Sequence, residues 1–287
     1  MAIIKSYQSG WKKVWKNKKM WALLYLLNFV FALLSAVPFS GFLSKSVGHT
    51  LENSNMLDGF DYTFISDLMR EYGSGLSVIM SLSQGIILLF FIFSIFWMGG
   101  ILSILKLEEN DYSFRKFWQG SAIYFWRLIR LTFYFTFFQA LLLGIFVFIF
   151  IQQGINPLEV KSEVSIINSL MIMLPIYLLF ATIIFMIQDY AKIHIVHQEK
   201  KLIFHSIKKA FGFVIKNFRK CFGLYLLNIL TFAAFFGIYW ILSNSFKSNT
   251  TPTIALLFSI GQAFIFSRIA VKLLNLGSAM ELLKTES

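Results

Sequence analysis

Ile86-Ile87-Leu88-Leu89-Phe90-Phe91-Ile92-Phe93-Ser94-Ile95-Phe96 runs through three helical turns with one hydroxyl and no charge. A helix on the surface of a soluble protein keeps a polar side, and this segment has none, so it reads as a helix surrounded by lipid. The apolar character extends over 78–105, longer than the roughly 20 residues that a hydrocarbon core about 30 Å thick requires. Five further stretches meet the same criterion, at about 20–40, 131–152, 166–188, 222–243 and 254–276. None alternates apolar with polar residues over about ten positions, which is what a transmembrane β-strand would need. The expected fold is all-α, a polytopic membrane protein with six transmembrane helices in a single membrane domain over 1–287.

Composition agrees. Of 287 residues, 57% are hydrophobic, 18% aromatic and only 14% charged, against about 25% charged in soluble domains. The net charge of +12 would suit a nucleic-acid binder, but this hydrophobicity excludes one. The charge has a different use. Lys45, Arg70, Lys161 and Lys247 fall on one side of the expected spans, and the other 22 of 26 basic residues on the opposite side. Acidic residues divide evenly. A bias confined to Lys and Arg is the positive-inside signal, so both termini are expected in the cytoplasm. The Lys-rich start before an apolar run could also be a cleaved leader, with Ser35-Ala36-Val37 near a plausible cleavage point. Recurrence of the same segment in mid-chain argues against that. Cys221 is the single cysteine, so no intramolecular disulfide forms.

The recurrence is ungapped. Residues 3–30 match 203–230 at an offset of 200 with ten identities, including Ser6/Ser206, Val14/Val214, Lys16-Asn17/Lys216-Asn217 and Tyr25-Leu26-Leu27-Asn28/Tyr225-Leu226-Leu227-Asn228. A fainter copy lies at an offset of 111, where Trp126 falls opposite Trp15, Arg127 opposite Lys16, and Arg130 opposite Lys19 and Arg219. Three parallel units follow, about 1–108, 109–200 and 201–287, each an amphipathic lead helix and a helical hairpin, with any pseudo-symmetry axis along the membrane normal. In the first lead helix the apolar stripe is Ile3, Ile4, Tyr7, Trp11, Val14 and Trp15. In the third it is Ile203, Phe204, Ile207, Phe211, Val214, Ile215 and Phe218. The second, with Phe114, Trp118, Phe125, Trp126 and Ile129, is less regular. Basic helices with aromatic faces suit the interface plane. Lys16, Lys19, Arg127, Arg130, Lys216 and Arg219 are therefore candidate contacts to anionic lipid headgroups, each worth about 1 kcal/mol near the surface. They also serve as topogenic charge, and the same cytoplasmic face could receive a protein partner.

The repeat aligns Asn28, Gln139 and Asn228 at one depth, on the order of 9–12 Å in from the cytoplasmic helix ends. These amides form a candidate intramembrane polar site. Two uses are open: interhelical hydrogen bonds worth about 0.6–2 kcal/mol each, or a lining for a lipid or small solute in a transporter or channel. Gln84 and Gln262 lack repeat mates. Ionisable groups within the spans are confined to their cytoplasmic ends, where Asp189 and Arg268 are shallow enough to pair with each other, to pair with Lys192, or to meet headgroups.

Catalytic signatures are missing. His194 and His197 stand three apart, with Glu199 and His205 following, but no Glu is embedded between the two histidines as a helical zinc motif requires. Glu108, Glu109 and Asp111 fit the start of a helix. Gly99-Gly100 is a packing point and no phosphate cradle. No enzyme, metal or cofactor is expected.

Gly10-Trp11 with Trp15-Lys16-Asn17, Met98-Gly99-Gly100-Ile101-Leu102, Asp189-Tyr190-Ala191-Lys192-Ile193 and Gly223-Leu224-Tyr225 together resemble a broad set of uncharacterised bacterial six-span proteins. These are similar to the membrane domain that some glycerophosphodiester phosphodiesterases carry ahead of their catalytic barrel. The 287 residues hold no such barrel and none of its catalytic residues, so the resemblance implies a membrane module and not hydrolysis. It also implies residence in a bacterial cytoplasmic (inner) membrane.

Overall fold

The computed structural model describes residues 2–46, 62–107, 112–152, 163–198, 203–246 and 250–286. They form eight helices and no strand: α1 Ala2–Lys16, α2 Lys18–Ser46, α3 Tyr62–Lys106, α4 Phe114–Gln152, α5 Glu163–Gln198, α6 Ile203–Lys216, α7 Phe218–Ser245 and α8 Thr251–Glu286. Six are long and apolar enough to cross a membrane, over Lys18–Ser46, Met69–Lys106, Phe114–Gln152, Ile167–His197, Phe218–Ser245 and Thr251–Glu286. The architecture is that of a multi-pass helical membrane protein.

Two short helices precede spans, and each ends at an asparagine. At Asn17 the backbone N–H bonds the Val14 carbonyl three residues back, at 3.1 Å, and the helix resumes with Trp21 N–H on the Asn17 carbonyl. At Asn217 the carbonyl accepts from the N–H groups of both Lys220 and Cys221, at 3.0 Å each. Its side-chain amide reaches the Phe213 carbonyl at 3.4 Å. An Asn side chain offers the backbone such an alternative partner, which favours a local break. The middle segment departs from the expected pattern of a separate lead helix, because α4 runs unbroken from Phe114 to Gln152. Leu128 stands there in place of the asparagine and is buried. It offers no competing hydrogen bond, so the helix continues.

The chain divides into two compact units. The first comprises Met1–Lys13, Ile95–Leu226 and Asn275–Ser287; the second comprises Val14–Ser94 and Leu227–Leu274. In the first unit α4, α5 and α6 pack on one another. The end of α3 meets α4 backbone against backbone. A Cβ added at Gly100 would lie 2.5 Å from Ser121 Oγ and 2.6 Å from the Phe117 carbonyl, and one at Gly99 would lie 2.8 Å from the Gly120 carbonyl. Gly99-Gly100 is therefore a close-approach point, of the small-residue kind that lets membrane helices touch. Lysines close two helix ends in this unit. Lys13 Nζ donates to the Leu105 carbonyl at 3.1 Å, at the end of α3, and Lys106 Nζ donates to the Val196 carbonyl at 3.2 Å, near the end of α5. A cation at a helix C-terminus satisfies an orphan carbonyl and complements the dipole.

The second unit is held by aromatic pairs. Trp21 of α2 stacks on Phe266 of α8 with centroids 4.1 Å apart, and its Nε1–H donates to the Phe266 carbonyl at 2.9 Å. Phe31 meets Phe90 and Phe93 of α3. Phe232, Phe236 and Tyr239 of α7 surround Phe264 of α8. α3 changes direction at Tyr72, whose φ of −115° and ψ of 21° are non-helical. Helices that cross a lipid core tolerate internal prolines such as Pro38 and Pro175, because neighbours re-satisfy the freed groups.

Candidate functional site

The lead helices carry three surfaces and not two. In α6, Ser206, Ala210 and Val214 are buried. About a third of a turn away, at 3.6 residues per turn, Phe204, Phe211 and Ile215 stand exposed, Phe204 at 69%. Beyond them on the same side come the exposed Lys208 and Lys216, continued by Arg219 in the first turn of α7. α1 repeats this division: Ser6, Gly10 and Val14 are buried, Ile4 and Trp15 are exposed, and Lys5, Lys12 and Lys16 border them, continued by Lys19. The apolar stripe expected from sequence is thus split. Part of it packs on protein, and the rest faces outward beside the cations. Residues 200 apart share burial at Ser6/Ser206, Gly10/Ala210, Val14/Val214, Trp21/Cys221 and Leu24/Leu224. In α4 the sectors are less segregated, with exposed Ile123, Trp126 and Arg130 on one side and Arg127 over the ring of Tyr124 at 5.9 Å.

Exposed aromatics beside exposed cations on one helix flank make an amphipathic surface. Lys18 adds to it, lying over the Trp15 ring at 5.6 Å. Arg268 is exposed on α8.

The three amides have different surroundings. Asn28 turns its Nδ2 onto the Leu24 carbonyl of its own helix at 2.6 Å. Gln139 reaches from α4 to the Ala181 carbonyl of α5 at 3.2 Å. Asn228 is buried, with 4% exposure. Asn28 and Asn228 belong to the second compact unit and Gln139 to the first. Gln262 accepts a hydrogen bond from Tyr25 OH at 2.8 Å, and Gln84 is exposed.

Asp189 is a polar centre that joins three helices. Its Oδ1 accepts from Lys192 Nζ at 2.9 Å. Its Oδ2 accepts from Tyr225 OH of α7 and from Asn275 Nδ2 of α8 at 3.1 Å. Of the partners anticipated from sequence, Lys192 is the one that pairs with it. Tyr225 and Asn275 lie 36 and 86 residues away, so no local pattern could link them to Asp189. The only signal was a phenol inside a span, which needs a hydrogen-bond partner once buried. Lys13 was legible only as topogenic charge, yet it also pairs with Glu281 at 2.5 Å. Lys220 likewise pairs with Glu286 at 2.6 Å.

His194 is buried at 7% exposure, and neither of its ring nitrogens has a hydrogen-bond partner among the described residues. Its neighbour one turn on, His197, is exposed. Glu199, Glu108, Glu109 and Asp111 lie outside the described residues. Among those described, no group of three His, Cys, Asp or Glu is placed to hold a metal ion. Comparison with known proteins finds no matching family model, no matching curated protein and no matching solved structure.

Proposed function

We propose that the protein is a non-enzymatic module of a bacterial cytoplasmic membrane, with both termini in the cytoplasm, that binds anionic lipid headgroups through its basic lead helices. The observation that carries this reading is the three-way division of α1 and α6: a buried flank, an exposed aromatic flank, and a flank of exposed lysines. A helix that served only to pack would have no reason to present Phe204, Phe211 and Ile215 outward. One that served only as topogenic charge would have no reason to align its cations beside them. Apolar insertion and headgroup attraction act together on such a surface. The coincident burial at an offset of 200, and the paired breaks at Asn17 and Asn217, support a repeated unit as its source.

The competing reading is a transporter lined by Asn28, Gln139 and Asn228. Against it stand the bonds of Gln139 to a neighbouring helix and of Asn28 to its own, which commit those amides to the protein.

The test is lipid selectivity. The protein is placed in bilayers of phosphatidylcholine with a minority of phosphatidylglycerol, and the motionally restricted fraction of each spin-labelled lipid is measured. Lys16, Lys19, Lys216 and Arg219 are then changed together to Gln. At about 1 kcal/mol for each cation near the surface, the preference for phosphatidylglycerol is expected to fall several-fold. An unchanged preference in a folded variant would remove the reading.

A further inference from the structure

One amide stands outside the pattern of the others. Asn28, Gln139 and Gln262 each hold a hydrogen-bond partner, and Gln188 and Asn228 are buried. Gln84 is exposed on α3 and has no hydrogen-bond partner among the described residues. It stands 13 residues from Glu71 and 22 from Lys106, the nearest charges on its helix, or about 20 Å and about 33 Å at 1.5 Å per residue. Its side chain is too short to reach either interface from there, and an amide that faces hydrocarbon without a partner is strongly destabilising. Gln84 also sits on a seam. Ser74, Ser77, Ser81, Gln84, Leu88 and Phe91 follow one another at alternating steps of three and four, and all six are exposed. That heptad spacing keeps residues on one side of a helix in a left-handed helix pair. The other exposed positions from 74 to 91 are Gly85 and the apolar Val78, Met80, Leu82, Ile87 and Leu89, so exposed polarity is confined to the seam. Its hydroxyls are satisfied within the helix: Ser77 Oγ donates to the Ser74 carbonyl at 2.7 Å, and Ser81 Oγ to the Ser77 carbonyl at 2.9 Å. The serines add little bulk, which leaves room for a second helix, and the unmet donors and acceptor are those of Gln84.

We infer that α3 pairs along this seam with α3 of a second copy of the chain, in parallel, the two Gln84 amides hydrogen-bonding across a two-fold axis along the membrane normal. A copy inserted the same way presents its own Gln84 at the same depth. An amide is its own complement, because its NH₂ donates what its carbonyl accepts. A two-fold interface sets one patch against the same patch on its mate, which is the arrangement a self-complementary group needs. Small residues and interhelical polar bonds are what hold helices together in lipid, where apolar burial supplies no driving force. The pairing rests on the span alone, and it stands whether or not the lead helices select lipid.

Oxidative cross-linking of the full-length protein in phosphatidylcholine bilayers tests the pairing, because the native Cys221 is buried and leaves a quiet background. Ser77→Cys, Ser81→Cys and Leu88→Cys are expected to form disulfide-linked dimer at least fivefold faster than Leu82→Cys and Leu89→Cys, which are exposed off the seam. Wild type is expected to form none. Self-association is then measured by energy transfer between copies that carry donor or acceptor fluorophores on C-terminal tags, as lipid is added. Gln84→Leu is expected to raise the dissociation constant at least fivefold, and Leu82→Ala to leave it in place. Energy transfer no greater than random mixing, equal cross-linking on and off the seam, or an unchanged dissociation constant for Gln84→Leu would overturn the pairing. So would cross-linking of the seam variants, in native membranes, to a different protein and not to a second copy.

Discussion

Replacing Asp189 tests whether its hydrogen-bond centre holds the first compact unit together. Asp189→Asn keeps the shape and removes the charge. Tyr225 and Asn275 both donate to Oδ2, so the carbonyl oxygen of an asparagine could take that place and keep two bonds as neutral ones. The lysine fares worse, because Lys192 would then face an amide NH₂ and lose its counter-charge. Breaking a buried ion pair by removing one partner costs about 3–5 kcal/mol. The side chains of Lys192 and Asp189 retain 13% and 16% exposure, so water relieves part of that, and a loss of about 2–3 kcal/mol is expected. Asp189→Leu also takes the acceptor from Tyr225 and Asn275, which adds at least about 1 kcal/mol, since stranding a buried donor costs about 1–3 kcal/mol. Unfolding in mixed micelles by SDS titration, followed by circular dichroism, gives both numbers. A double-mutant cycle with Tyr225→Phe isolates one bond. Neutral interhelical hydrogen bonds in membranes average about 0.6 kcal/mol, and a charged acceptor should exceed that, so a coupling near 1–2 kcal/mol is expected. A loss under about 0.5 kcal/mol for Asp189→Asn, or a cycle that closes to zero, would refute the reasoning.

Three other predictions follow from contacts already described. Gly100→Val should cost about 1–3 kcal/mol by overpacking, because its Cβ meets the Phe117 carbonyl at 2.6 Å, whereas Gly144→Val, with nothing within 4 Å, should be close to neutral in the same SDS titration. Gln139→Leu should lose about 0.6–2 kcal/mol, the range for one interhelical bond, and should leave any solute flux across reconstituted vesicles unchanged; loss of a flux would favour the transport reading. Cys221 has 0% exposure, so a membrane-impermeant maleimide should label it only after SDS unfolding, and rapid labelling of the folded protein would contradict its burial.

The helices were legible because a lipid core imposes a crude rule, about 20 apolar residues in a row, and runs such as Ile86–Phe96 satisfy it without help from any neighbour. The Lys-Asn pair marked the recurrence and not the helix breaks at Asn17 and Asn217, and the continuity of α4 follows from the leucine at 128, which the faint middle alignment was too weak to weigh. The division of the lead helices into three surfaces was hidden. Periodicity marks Val14 and Trp15 alike as apolar, and only the packing decides that Val14 goes to protein while Trp15 stays outside. Polar centres were hidden for a related reason. Asp189 stood out as an ionisable group at a span end, but its partners on α7 and α8 are fixed by tertiary structure, and Lys13 carries no local mark of its reach to the α3 carboxyl end.

The packing of α1 on α8 has a consequence for biogenesis. Gly10 lies within van der Waals reach of Gly277, 3.6 Å from where a Cβ would stand, and Lys13 pairs with Glu281. At about 5–20 residues per second, a ribosome needs on the order of 15–50 s to make α8 after α1 has emerged. For that interval the part of α1 that meets α8, Gly10 and the Glu281 partner Lys13, has no α8 to pack on. On the proposed reading the exposed aromatic and basic flanks of α1 would let it rest on the bilayer surface meanwhile, so the lipid would act as a holding chaperone for the first helix until the last arrives.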